Sequence, residues 1–176
     1  MAAIRINDPL TAEQLRAILY YDPETGIFIW RPRADRPMAR NTRYTATKAG
    51  GSAGNHYTII SIDKRRYVAS RLAWLWVYGE WPTAFIDHIN GNKLDDRIAN
   101  LRLATKSQNH ANIGVRSNNT SGLKGASWSK RYSRWVAQIQ FHGQHYFLGY
   151  FGTPKEAHEA YCRAAARLHG EFAKFR

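Results

Sequence analysis

The run from Gly114 to Ser121, ending in Ser117-Asn118-Asn119-Thr120-Ser121, breaks the apolar patterning of the chain. A polar run of this kind reads as a linker, not as part of a core. The chain is therefore expected to fold as two small parts, residues 1–114 and 122–176, joined by residues 115–121. The full length of 176 residues fits one domain or two small ones, since a domain usually takes about 100–200 residues. Hydrophobic residues make up 44% of the chain, enough for packed cores, which excludes disorder throughout.

In the first part, Thr11-Ala12-Glu13-Gln14 is a capping box followed by Leu15, Ile18 and Leu19 at helical spacing. This predicts a short helix ending near Tyr21. Asp22-Pro23-Glu24-Thr25-Gly26 is turn chemistry, and Ile27–Trp30 reads as a strand. Residues 56–62 and 66–69 predict a hairpin turning at Asp63-Lys64. Ser70 is placed to cap a helix over residues 71–78, stopped by Gly79 and Pro82. Trp74, Trp76 and Tyr78 on that helix are expected in the core, whereas Trp81 has no clear assignment. Residues 85–89 form a strand candidate before the tight-turn signal Asn90-Gly91. Residues 106–113 suit one more short helix. In the second part, three strands are expected near 123–128, 134–141 and 145–150. A helix follows, capped by Thr153-Pro154-Lys155-Glu156 and stopped at Gly170.

Several classes drop out. Cys162 is the single cysteine, so neither an internal disulfide nor a multi-thiolate zinc site can form. A reducing cytoplasm fits this usage. No apolar run nears the roughly 18 residues of a membrane span, and the first residues lack a signal-peptide core.

Lys and Arg number 26 against 13 Asp and Glu, a net charge of +13. Such an excess points to a polyanionic partner, nucleic acid before a membrane surface. The excess is shared between residues 1–114, with 16 basic and 10 acidic, and residues 122–176, with nine and three. Arg31, Arg33, Arg36, Arg40 and Arg43 crowd residues 31–48 against one Asp. That stretch reads as a loop or arm able to touch phosphates.

The chemistry concentrates in residues 87–112. Asp87 and His88 adjoin at the end of a strand candidate, where side chains alternate between faces. Both reach one site only if the strand bends, which the following Asn90-Gly91 turn permits. Asn109, one helix later, adds an amide oxygen. Carboxylate and amide oxygens suit a hard cation such as Mg2+, with Mn2+ as a substitute. A histidine beside such a cation can take a proton from water, a parts list for phosphodiester hydrolysis. The bland reading is that Asp87 and His88 simply pair and the asparagines cap turns. His110 is a lesser candidate ligand that more naturally faces solvent or a phosphate.

The run Asp87-His88-Ile89-Asn90-Gly91, with Asp96-Arg97, Asn100-Leu101, Gln108-Asn109 and Asn112 after it, resembles the HNH endonucleases of phage and homing type. Tyr21-Asp22-Pro23, Thr25-Gly26, Arg71-Leu72-Ala73-Trp74 and Gly79 with Trp81-Pro82 extend the likeness to about residues 15–113. The resemblance implies a ββα-metal fold in which Asp87 and Asn109 bind the metal and His88 is the general base. Asn100 would fasten the hairpin by hydrogen bonds to backbone. Two positions depart from the pattern. Asp96 stands where Asn is common, and Ser70 where many phage members carry His. Asp96 is expected either to alter the hairpin's hydrogen bonds or to add negative charge near the site.

In the second part, Trp135, Ala137, Ile139 and Phe141 share one strand face, and Val136, Gln138 and Gln140 the other. The first face can pack on the Ala-rich helix. Ser121-Gly122-Leu123-Lys124-Gly125, Trp135-Val136-Ala137, Leu148-Gly149-Tyr150-Phe151, Thr153, Glu156-Ala157, Ala160-Tyr161 and Leu168-His169-Gly170 resemble the plant Apetala/ethylene-response-factor type DNA-binding domain. That resemblance implies a small three-stranded antiparallel sheet packed on one helix. Lys124, Ser127, Gln138, Gln140, His145 and Phe147 would face DNA, with glutamines able to pair with adenine in the major groove.

The expectation is thus an α+β chain, an HNH nuclease region in residues 1–114 followed by the DNA-binding sheet and helix of residues 122–176. It would act as a monomer on double-stranded DNA, away from membranes, in a host cytoplasm if encoded by a phage. By the same resemblance the products carry 5′-phosphate and 3′-hydroxyl ends. The alternatives are a DNA-binding regulator with an inactive nuclease fold and a basic RNA-binding or structural nucleoprotein. The last predicts exposed aromatic rings for stacking on single strands.

Overall fold

A computed structural model describes residues 10–34, 37–52, 54, 56–115 and 119–175. Arg36, the Arg40 side chain and residues 116–118 of the expected linker lie outside them. The chain is mixed α and β with small antiparallel sheets, and it divides into two compact units, Met1–Leu103 and Ala104–Arg176.

The first unit opens with α1 (Ala12–Ile18), whose capping box is complete. Thr11 Oγ1 accepts from the Gln14 N–H at 3.2 Å, and Gln14 Oε1 accepts from the Thr11 N–H at 3.0 Å. The helix stops at Leu19 instead of continuing to Tyr21. Residues Leu19–Asp22 form β1, antiparallel to β2 (Ile27–Trp30). The period of two turns both Leu19 and Tyr21 fully inward, and pairing with β2 wins over the helical spacing that the sequence also offers.

The stretch expected as a loop or arm contains a two-turn helix, α2 (Met38–Tyr44). The next sheet has strands β3 (Gly51–Ser52), β4 (Thr58–Ile62) and β5 (Arg65–Val68), in that order and antiparallel. The β4–β5 hairpin turns at Asp63-Lys64 as expected, both with positive φ (47° and 66°), the geometry of a two-residue turn. α3 (Ala69–Tyr78) starts earlier than expected. Its N-cap is Val68, without a side-chain bond, and Ser70 is buried in the first turn instead of capping it.

Leu72, Ala73 and Leu75 of α3 join Leu15, Leu19, Tyr21, Phe28 and Ile60 in the core. Each such large side chain contributes about 1.5–3 kcal/mol by burial. Trp76 packs on that core, but Tyr78 is exposed and lies against Trp74 with ring centroids 4.3 Å apart. Trp81 is a packing residue: it stacks on Tyr67, and its indole N–H donates to the Leu10 carbonyl at 2.9 Å. β6 (Phe85–His88) and β7 (Leu101–Ala104) pair as the last sheet, with a short 3-10 turn at Ile98–Asn100 before β7.

The second unit begins with α4 (Lys106–Ala111), earlier than the expected boundary at residue 114. The cause is packing: Ala104, Ala111 and Phe172 bury one another, and Lys124 Nζ donates to the Ala111 carbonyl at 2.7 Å. β8 (Ala126–Ser129), β9 (Arg134–Phe141) and β10 (Gln144–Phe151) form an antiparallel sheet in the order β10-β9-β8. α5 (Pro154–His169) packs on one face through Ala157, Tyr161, Ala164 and Ala165 against Ala126, Ala137 and Ile139. Small residues let helix and sheet approach closely. Among the described residues no helix is long and apolar enough to cross a membrane.

The β1–β2 turn meets the segment before β7. Gly26 has φ 72°, and a Cβ there would lie 2.5 Å from the Arg97 nitrogen and 2.6 Å from the Asp96 carbonyl carbon. Both are backbone atoms, which cannot swing away. Gly26→Ala is therefore expected to destabilise the first unit by roughly 2–4 kcal/mol, measured as a lower chemical-denaturation midpoint. A change within a few tenths of a kcal/mol would mean the turn is not held there.

Candidate active site

β6 carries Asp87 and His88, both buried, with 3% and 4% of their surface exposed. Strand alternation sends them to different partners. Asp87 Oδ2 accepts from Arg102 Nε at 2.9 Å, and Arg102 stands on β7, the strand paired with β6. His88 Nε2 lies 3.3 Å from Asp96 Oδ1, and Asp96 is itself only 2% exposed. The Tyr57 ring sits 6.1 Å from the His88 ring, with Lys93 Nζ 5.1 Å from the Tyr57 ring centre. An ionised carboxylate can only accept, so with Asp96 ionised the shared proton belongs to His88 Nε2.

The loop from His88 to Leu101 is tied by one side chain. Asn100 Oδ1 accepts from the Asn90 N–H at 3.0 Å, while Asn100 Nδ2 donates to the Asp95 carbonyl at 2.8 Å and to Asn90 Oδ1 at 3.1 Å. An amide is the group that supplies both an acceptor and two donors at one point. Asp95 adds a second clamp, accepting from Arg97 Nε and Nη2, each at 2.7 Å, and from Asn90 Nδ2 at 2.7 Å. The Arg97 hydrogen bond, ahead of that from Asn90, holds the Asp95 carboxyl down to about 2.

Behind the loop, the buried Tyr21 hydroxyl donates to the Asp96 carbonyl at 2.6 Å, and the Ile98 N–H donates to the Pro23 carbonyl at 3.3 Å. Burial, reinforced by the nearby Asp96 carboxylate, pushes the Tyr21 phenol well above its usual range. Asp96 leaves the hairpin's own tie to Asn100 intact and places its carboxylate on His88.

Arg102 and Tyr21 were not among the candidate residues. No spacing rule marks Arg102 as the partner of Asp87, because only the β6–β7 register brings them together. Tyr21 could be read from sequence as a core residue, but its hydroxyl contact lies across 75 positions.

The other candidates distribute as follows. Asn109 lies half-buried on α4 in the second unit, next to exposed His110. In the Arg-rich stretch, Arg33 is engaged with Asp63, with N–O distances of 2.8 and 3.2 Å and a side chain 11% exposed. The Arg31 and Arg43 guanidinium carbons lie 5.9 and 5.7 Å from the ring centres of Tyr20 and Tyr44.

In the second unit, the strand pairing puts Ser127, Gln138, Gln140, His145 and Phe147 on the face away from α5. Lys124 lines one cleft with Ser127, Gln138, Gln140 and His145. Its ammonium bonds Ala111 and lies 5.8 Å from the Tyr161 ring centre. Burial, with Lys174 nearby, lowers it to about 8. Gln138, Gln140 and His145 line a cleft of about 820 Å3 together with Lys106, Ser107 and His110 of the α4 segment. A major groove about 12 Å wide admits a helix or a two-stranded ribbon.

A family model described as HNH endonuclease matches residues 67–111. The chain is 43% identical over 93 residues to Protein 3.8 of Escherichia phage T7, a match spanning 52% of this chain and 75% of that protein. It is 33% identical over 100 residues to an uncharacterized HNH endonuclease of Acanthamoeba polyphaga mimivirus, spanning 56% of this chain and about half (51%) of that one. No solved structure matches.

Asn100→Ala removes the three bonds that hold the loop and is expected to cost about 2–3 kcal/mol in unfolding free energy. Asn100→Asp should be no better, because an oxygen would then face the Asp95 carbonyl. Asp95→Asn should lower the melting temperature by a few degrees at neutral pH. The folded-state pKa of Asp95 is depressed, so its contribution is complete above the ordinary carboxylate range and fades as pH falls toward about 2. The gap between the two proteins should therefore close over that acid window in a melting series. A gap that persists at the acid end would show that Asp95 acts through something other than its charge.

Proposed function

We propose that the chain, whose residues 67–111 match an HNH endonuclease model, is a metal-dependent DNA endonuclease with His88 as general base. The observation that carries this reading is the buried His88, held through Nε2 by Asp96 one position after the Arg102-paired carboxylate of Asp87. The family implies DNA as the substrate, and the net charge of +13 suits a phosphate backbone.

In the proposed reaction, His88 removes a proton from water and the resulting hydroxide attacks the scissile phosphorus. The bond from phosphorus to the 3′ oxygen breaks, that oxygen is protonated, and the ends are a 5′-phosphate and a 3′-hydroxyl. Asp96 holds Nε2 of His88 and, with the Tyr57 ring beside it, limits how the imidazole can turn. Arg102 neutralises the buried Asp87 carboxylate while no cation does so. A divalent cation, when bound, would supply positive charge to the scissile phosphate and the departing oxygen.

Among the described residues no group of three or more His, Cys, Asp or Glu gathers as a metal centre. A cation such as Mg2+ keeps several waters and needs only one or two protein carboxylates, so Asp87 fits as its ligand. Support for Asn109 as the amide ligand is the sequence resemblance alone. A single site per monomer favours nicking one strand of a duplex.

Supercoiled plasmid incubated with the protein and Mg2+ should give open circles, and EDTA should stop the reaction. His88→Ala is expected to lower the rate by about 10²–10⁴-fold. Asp96→Ala should lower kcat by about ten- to hundredfold with KM for DNA little changed, since it mispositions the base. Asp96→Asn, which can still accept from Nε2, should retain more activity. An intact plasmid with the wild-type protein, alongside salt-sensitive DNA binding, would favour the regulator reading instead. Equal loss in Asp96→Ala and Asp96→Asn would overturn the orienting role as assigned.

A further inference from the structure

The face of the β8–β9–β10 sheet away from α5 carries a row of three aromatic rings. β10 places Phe147 opposite Gln138 and Tyr150 opposite Val136. Ala137 and Ile139 alternate with these partners and pack toward α5, so Phe147 and Tyr150 point the other way. Tyr132, from the β8–β9 turn, completes the row. Ring centroids are 4.9 Å apart for Phe147 and Tyr150 and 4.8 Å for Tyr150 and Tyr132. All three remain exposed, at 59%, 41% and 50%. Isolated surface aromatics need no explanation, but touching rings left in water on one face mark a contact surface.

The charge around the row is of one sign. The Arg131 guanidinium carbon lies 5.3 Å from the Tyr132 ring centre. Lys130 belongs to the same turn, and Arg134 alternates onto the same face as Val136 and Gln138. The acidic residues of 122–176, Glu156, Glu159 and Glu171, all belong to α5 and the short turn after it, on the side of the sheet that the rings do not face. At its other end the face runs into the cleft with Gln138, Gln140 and the α4 segment, which also has no acidic side chain in its lining.

We propose that this face binds a single strand of DNA, with successive unpaired bases stacked on Phe147, Tyr150 and Tyr132. The strand's phosphates would run along Lys130, Arg131 and Arg134. Stacking fits the rings because every base has an aromatic face, whereas the rings offer a paired duplex only edges and sugars. The inference stands on the second unit alone and does not depend on the nuclease reading.

Fluorescence anisotropy in EDTA, with the full chain, a labelled oligothymidylate of ~20 nucleotides and a duplex of equal length, tests it. The wild type should bind the single strand at least as tightly as the duplex. Phe147→Ala and Tyr150→Ala should each weaken single-strand binding by about tenfold, with duplex binding changed less than twofold. Phe147→Trp should keep the affinity, and Arg131→Gln should flatten its salt dependence. A 2-aminopurine in the strand should be quenched on binding to the wild type and not to the alanine variants. These side chains are exposed, so unchanged melting curves would confirm that the variants fold. Single-strand affinity unchanged in the double alanine variant would overturn the proposal. Equal losses for strand and duplex would overturn it too, showing a general DNA surface. A protein that fails to cut plasmid yet shows ring-dependent strand binding would refute the nuclease reading and leave this one standing.

Discussion

The hydrogen bond from the Tyr21 hydroxyl to the Asp96 carbonyl, at 2.6 Å and fully buried, connects the first unit's core to its chemistry. Tyr21 is packed against Phe28 and Trp76 and is among the largest buried side chains. Its hydroxyl has to find a partner there, and a carbonyl left without one would cost about 1–3 kcal/mol. The bond therefore settles where residue 96 lies, and with it the carboxylate that meets His88. Gly26 allows the turn to come close enough, and Asn100 closes the same loop from the other side. The position of the imidazole is thus a property of the core and not of the loop alone.

Five aspartates of the first unit serve such internal ties. Asp22 accepts from Glu24 and Thr25 in the β1–β2 turn, Asp63 pairs with Arg33, Asp87 with Arg102 and Asp95 with Arg97, while Asp96 faces His88. Carboxylates that hold loops together cannot also offset the surrounding Lys and Arg over a wide surface. In the second unit the same segregation takes another form, with the acids of 122–176 confined to α5 and the turn after it. The excess of positive charge is left to act as a long-range field toward an anionic partner.

Much of this was legible in the sequence, and the reason lies in how local the signals are. The capping boxes at Thr11 and Thr153 bond as their spacing allows. The Asp63-Lys64 turn and the alternation in β9 are equally local and equally visible. Failures arose where two local preferences competed. Leu19 and Tyr21 satisfy helix spacing and strand alternation alike, and only pairing with β2 decides between them. Ser70 offers a good cap, but the helix begins before it because Ala69 is needed in the core. The aromatic residues of α3 have core-like spacing, yet Tyr78 stays in water because the neighbouring element covers only one side.

The amino-acid sequence by itself determined which chemistry this chain can hold. It placed a carboxylate beside a histidine, an asparagine with three bonds to give at position 100, an excess of cations and an alternating strand with a polar face. Each is a matter of residue type and short spacing, which a linear pattern records. Tertiary structure alone decided who meets whom: Arg102 with Asp87 across β6 and β7, Asp96 with His88, Tyr21 with Asp96, and Phe147 with Tyr150 and Tyr132. These pairs depend on strand register and on the close approach of turns distant in sequence. Both are set by which burial costs least polar desolvation, a balance over the whole core that no short window contains.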